Sequence, residues 1–153
     1  MKKIIILLIL FFFSNSCGYT PIYKDNKNKN IKFNFEIIEK SGDVEINNYI
    51  ISNLDRYQDK NLSKKIQIKI DSNFIKSGIS KDKKGETNAY TITIKTEFDV
   101  YKEVKNNKFT LNEKININRS NDTFEQKNYE LKIKKDISKT IVDRFVNKLL
   151  ASE

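Results

Sequence analysis

Few side chains in this sequence are suited to covalent chemistry. Its 153 residues include no His, no Trp and a single Cys, Cys17. Without His, neither a Ser-His-Asp nor a Cys-His nucleophile can be assembled. One Cys cannot supply the ligand clusters of zinc, haem or iron–sulfur sites, nor a disulfide within the chain. Four Gly leave no phosphate-cradling loop. Glu97 and Asp99 place two carboxylates on one side of an alternating segment, but acids at period 2 are also the ordinary pattern of a solvated strand face. The residues therefore point away from an enzyme, with no cofactor and no metal, and towards binding. Lys81, Lys83 and Lys84 crowd one polar stretch and are suited to anionic groups such as lipid phosphates. Tyr19, Tyr23, Tyr101 and Tyr129 are large, rather rigid and amphipathic, which suits packing or interface contacts.

The charge is uneven. The formal net charge is +9, from 29 basic and 20 acidic residues. Nine lysines in the segment 60–95 face only Asp71, Asp82 and Glu86, whereas 97–125 is nearly balanced. Two readings of the excess stand side by side. It could be an anion-binding patch, or a merely solvated surface, since 26 of the 29 basic residues are Lys and the whole chain is rich in Lys, Asn and Ile. Lysines also lack the rigid fork that Arg brings to bidentate phosphate or base recognition.

The amino terminus narrows the choice. Lys2 and Lys3 precede the apolar run Ile4–Phe13, and Ser14-Asn15-Ser16-Cys17 follows. Ten residues make about 15 Å of helix, against the roughly 20 residues that span a bilayer. The three regions match a signal peptide over residues 1–16. Export and a membrane tether argue against a nucleic-acid partner, the usual inference from a basic domain. Cys17 resembles the acceptor of a bacterial lipobox, which receives a diacylglyceryl group before cleavage and is then acylated at the new amino terminus. Ser14 stands where that pattern usually has Leu. An ordinary signal peptide cleaved near Ser16 would leave a free thiol instead. Two or three acyl chains give firm attachment. Gly18 in place of Asp fits, by resemblance to the usual sorting rule, the outer membrane.

Stepping along the chain gives the elements that hold these groups. Residues 17–30 read as a lipidated amino terminus and tether, in which Lys24, Lys27, Lys29 and nearby Lys32 could rest by headgroups. Ile31, Phe33, Phe35 and Ile37 alternate with polar residues as a strand, broken at Ser41-Gly42. Asp43 predicts a helix cap, with Ile46, Ile50, Leu54 and Tyr57 as its apolar stripe. Ile66, Ile68 and Ile70 predict a second strand reaching Phe74, and 76–88 reads as an exposed loop. Tyr90 to Val100 is the longest alternation, with a hairpin turn at Asn106-Asn107. Phe109, Leu111, Ile115 and Ile117 resume the pattern, with Glu113 out of phase as at a bulge. Asp122-Thr123 starts a long helix with Ile133, Ile137, Ile141, Phe145 and Leu149 inward, widened by Tyr129, Val142 and Val146. The result is one α+β domain over 31–151, order β-α-β-β-β-α: two amphipathic helices packed on one face of a four-stranded, mostly antiparallel sheet.

That order, behind Cys17-Gly18-Tyr19-Thr20-Pro21-Ile22-Tyr23, resembles the LPS-assembly lipoprotein family (LptE/RlpB), whose members often open Cys-Gly-aromatic-x-Pro-Leu-Tyr. Tyr19, Pro21 and Tyr23 match, and Ile22 takes the Leu position. Arg144 and Leu149 fit the Arg-x-x-x-x-Leu pattern frequent in the family's closing helix. The resemblance implies a non-catalytic lipoprotein on the periplasmic side of the outer membrane. Such a protein helps assemble the lipopolysaccharide translocon β-barrel LptD, partly plugs it, and contacts lipopolysaccharide on its way out. No loop motif carries lipopolysaccharide-binding residues across, so Lys81, Lys83 and Lys84 come from the charge pattern alone. The alternative from another class is a free-standing periplasmic lipoprotein that binds an anionic lipid or cell-wall ligand.

Overall fold

A computed structural model describes residues 31–103 and 105–152. The elements are β1 (Asn34–Gly42), α1 (Val44–Leu54, continued by a 3-10 turn at Asp55–Tyr57), β2 (Lys65–Lys81), β3 (Thr87–Tyr101), β4 (Asn107–Asn118) and α2 (Thr123–Ala151). The sheet order is β1-β2-β3-β4, with β1 parallel to β2 and the other pairs antiparallel. This is the expected α+β arrangement, with α1 as the crossover that a parallel pair requires.

One face of the sheet supplies the core. Ile66, Ile68 and Ile70 of β2 and Ile92, Ile94, Phe98 and Val100 of β3 are buried there, at the predicted period. Ile46, Ile50 and Leu54 of α1 and Ile133, Ile141, Val142, Phe145, Val146 and Leu149 of α2 cover them. Phe145 is the central plug, stacked on Phe98 at 4.1 Å between ring centroids and edge-on to Phe109 at 5.7 Å. Where α2 crosses the middle of the sheet the side chains are small: Ser72, Thr96 and Ser138 are fully buried. The Ser72 and Thr96 hydroxyls pair at 3.2 Å, and Ser138 donates to the Lys134 carbonyl at 2.6 Å, so the polar atoms are satisfied.

Both helix starts follow from their caps. The Asp43 carboxylate accepts the Ile46 N–H at 3.0 Å, and that of Asp122 accepts the N–H groups of Phe124 and Glu125 at 2.7 and 3.1 Å.

The structure corrects the sequence reading at four places. Ser41-Gly42 does not break β1; the strand runs through it, and Gly42 pairs with Ser72. Gly42 has φ +83°, and a Cβ there would stand 2.0 Å from the Ser72 carbonyl oxygen, so glycine carries strand directly into helix cap. The expected loop 76–88 is mostly strand. β2 and β3 continue as a ribbon whose Ser, Thr and Lys side chains hide the pairing from a hydrophobic-pattern reading, and the turn is only Asp82–Glu86. No bulge occurs at Glu113, which pairs in regular register with Ile94; its carboxylate faces the helix layer and meets Arg144. Tyr129 does not widen the packed face of α2 and is 46% exposed.

Candidate functional site

The lysines of interest fall at opposite ends of the long strands. β2 alone spans about 50 Å at ~3.3 Å per residue. We call the β2–β3 turn the tip, and the end where β1, β2 and β4 begin and β3 finishes the base.

At the tip, Lys81 closes β2 while Lys83 and Lys84 occupy the turn, all three exposed. Asp82 organises that turn, its carboxylate accepting the N–H groups of Lys84 at 2.8 Å and Glu86 at 2.9 Å. Gly85, at φ +82° with nothing near its missing Cβ, completes it. The three ammonium groups thus share an exposed hairpin end, but none lines a cleft described below. A cleft of about 350 Å³ opens behind the hairpin between Tyr90, Arg119 and Glu130. Two of its charges, Arg119 and Glu130, are already matched: Arg119 pairs with Glu86 at 3.0 Å, and Lys76 pairs with Glu130 at 2.6 Å while lying 4.2 Å from the Tyr90 ring centroid.

The open face of the sheet is polar and cross-linked. Glu97 accepts from Lys95 at 2.6 Å and Lys108 at 2.7 Å, and Lys108 lies 3.7 Å from Asp99. Hydrogen bonds from Lys108 and Lys95 hold the Glu97 carboxyl down at about 2. Glu97 and Asp99 are therefore lysine partners in an ion-pair ladder. Lys69 pairs with Glu39 on the same face at 2.7 Å.

At the base, a cleft of about 720 Å³ gathers residues from four separate chain segments. Lys32, Lys64, Lys65, Lys102 and Lys105 line it, with Glu103 as the one acid among the described lining residues. Its floor is Phe33 and Ile66, each 7% exposed, and Leu62 stands at the rim. Lys32 donates to the Arg56 carbonyl at 3.0 Å, which fixes its stem. The Asn34 amide donates to the Leu62 carbonyl at 2.8 Å and so pins the 60–65 loop to β1. This cluster escaped the sequence reading because its lysines are distant in sequence. What brings them together is the parallel pairing of Asn34 with Lys65, which sets Lys32 beside the Lys64-Lys65 pair.

The least exposed charge cluster joins the helices. Lys134 donates to Asp43 and Glu45, each at 2.7 Å, with its ammonium 4.7 Å from the Phe74 ring centroid. Partial burial pushes the Asp43 carboxyl up, but the Lys134 and Ile46 hydrogen bonds outweigh it and the net shift is downward. Lys134 is raised for the complementary reason, Asp43 and Glu45 outweighing the effect of burial.

Among the described residues no group of three or more His, Cys, Asp or Glu could hold a metal ion, and no helix is long and apolar enough to cross a membrane. Cys17, Tyr19, Pro21 and Tyr23, like Lys24, Lys27 and Lys29, lie outside the described residues.

No family model and no curated protein matches the chain. Solved structures do. The crystal structure of rare lipoprotein B from Shewanella oneidensis superposes with a TM-score of 0.54 at 16% identity, covering 76% of this chain and 95% of that one. The chain shares that lipoprotein's fold. A minor lipoprotein from Acinetobacter baumannii (TM-score 0.49, 11% identity, 72% of this chain and 93% of that one) is also similar. So is lipoprotein B from Nitrosomonas europaea (TM-score 0.48, 12% identity, 80% and 87%).

Proposed function

We propose that this chain is an outer-membrane lipoprotein of the LPS-assembly (LptE/RlpB) type. It is anchored on the periplasmic side through acyl chains on Cys17, and it assists assembly of the lipopolysaccharide translocon β-barrel LptD. It partly plugs that barrel and contacts lipopolysaccharide in transit, with no catalytic step of its own. The observation that carries the reading is the fold shared with rare lipoprotein B over 95% of that chain, joined to the Cys17-Gly18-Tyr19-Thr20-Pro21-Ile22-Tyr23 motif.

The described surface suits the role. A porin-like lumen is polar and wet, and the open sheet face offers a ladder of paired charges rather than an apolar patch. Lys81, Lys83 and Lys84 at the tip supply exposed ammonium groups for lipopolysaccharide phosphates, and Tyr19, Pro21 and Tyr23 supply an anchor-proximal contact with the barrel.

The test is affinity purification of the full-length chain from crosslinked outer membranes. Co-purification of one large β-barrel protein, together with loss of mature barrel on depletion, is expected. Recovery with no barrel would sink this reading and leave the free-standing lipoprotein. Replacing Lys81, Lys83 and Lys84 with Glu should weaken lipopolysaccharide binding; unchanged binding would remove the tip from the account.

A further inference from the structure

We propose that the cleft at the base is a docking site for anionic phospholipid headgroups, which holds this end of the domain against the bilayer surface. Three observations carry it. First, the charge is built by the fold rather than by a run of sequence: lysines preceding β1, opening β2 and following β3 converge on one concavity with a single acid among its described lining residues. Second, three of these cations, Lys64, Lys65 and Lys105, are available. Lys69, Lys95, Lys108 and Lys134 all hold carboxylates, whereas Lys64, Lys65 and Lys105 have no acidic partner within 4 Å among the described residues.

Third, Leu62 is 41% exposed in the middle of Lys60-Asn61-Leu62-Ser63-Lys64-Lys65. An apolar side chain flanked by lysines is the pattern of an interfacial contact, in which the Leu enters the headgroup layer while the ammonium groups stay with the phosphates.

Chain connectivity selects the occupant. The segment carrying Cys17 joins the domain at Lys32, a lining residue, so an acyl group at Cys17 keeps this end within about 50 Å of the bilayer even with the tether fully extended. That confinement makes headgroup binding effectively intramolecular, and attraction between Lys and an anionic surface acts within a Debye length. The inference rests on the proposed lipid anchor for its membrane, but its test does not need the acyl group.

The chain from Cys17 to Glu153, carrying Cys17→Ser, is mixed with phosphatidylcholine vesicles with or without phosphatidylglycerol. Binding should require the anionic lipid and fade as salt is raised. Lys64→Gln, Lys65→Gln and Lys105→Gln together should weaken it roughly a hundredfold, at about fivefold per lysine, with unfolding temperature unchanged. Lys81→Gln, Lys83→Gln and Lys84→Gln together should weaken it far less. Because the chain has no Trp, Leu62→Trp is a unique reporter, and its emission should shift to the blue on anionic vesicles while Ile79→Trp near the tip does not. Equal binding to neutral vesicles, equal loss from the tip variant, a silent Leu62→Trp, or displacement by inorganic phosphate at constant ionic strength would each overturn the proposal. Failure of lipidation would appear separately, as an unmodified amino-terminal peptide in the mass spectrum of the native protein.

Discussion

The tip and the base carry comparable lysine clusters on very different supports. The tip's three are sequence neighbours on a two-stranded ribbon with solvent on both sides, positioned by one aspartate and one glycine. The base draws lysines from three stretches of chain onto a floor of Phe33 and Ile66, backed by the phenylalanine cluster around Phe145. A cluster visible in sequence is thus an exposed hairpin end, and one visible only in the fold is a shaped surface. The two suit different partners: a mobile polyanion passing by at the tip, and a planar layer of headgroups at the base.

The strongest way to separate the two regions is through the core. Phe145→Ala removes the ring that Phe98 and Phe109 pack against and should cost about 3–5 kcal/mol in denaturant unfolding. A loss below 1 kcal/mol would show that the base does not depend on that plug. The next contrast uses two glycines of nearly equal φ. Gly42→Ala drives a Cβ into the Ser72 carbonyl and should cost about 2–4 kcal/mol. Gly85→Ala, facing open space at the tip, should cost only about 1 kcal/mol. Equal costs would deny that the tip is more loosely packed than the covered part of the sheet.

A smaller effect comes from the clasp between the helices. Lys134→Met should destabilise the fold by about 1–2 kcal/mol at neutral pH. The sign with pH is set by the shifts. Asp43 is lowered in the folded state, so its contribution is present above the ordinary carboxylate value and is lost as pH falls through the lowered one. Lys134 is raised, so its contribution is present below its ordinary value and is lost as pH climbs through the raised one. Asp43→Asn, which keeps the cap oxygen, should flatten the acid side of the stability profile; an unchanged profile would contradict the assignment. The smallest effect lies on the open face. Glu97→Gln should leave the unfolding midpoint where it is, although an NMR titration should place the Glu97 carboxyl at about 2. A midpoint near the usual glutamate value would mean that the Lys95–Glu97–Lys108 ladder does not persist in solution.

The covered half of the molecule was largely legible because burial writes itself into sequence. Ile92, Ile94, Phe98 and Val100 declare a strand, Ile46, Ile50 and Leu54 a helix, and Asp43 and Asp122 their starting points. The hairpin was not legible, since strands solvated on both faces carry no apolar period; Ser77 opposite Thr91 pairs as backbone does anywhere. Glu113 misled for a related reason, its apparent break in the alternation being an edge carboxylate satisfied by Arg144 in the other layer. The lysines at 81, 83 and 84 could be named from their spacing, but the base cluster required knowing which strand ends meet.

The central claim, that this lipoprotein fold works inside a translocon barrel, is tested most directly by a photo-crosslinking residue at Asn112. Asn112 is exposed on the open face of the sheet and opposite Lys95 in β3. In cells producing the full-length chain with Cys17 intact, irradiation should give a single adduct with one large outer-membrane β-barrel protein. Adducts with no barrel, in a protein shown to be lipidated and folded, would contradict the account.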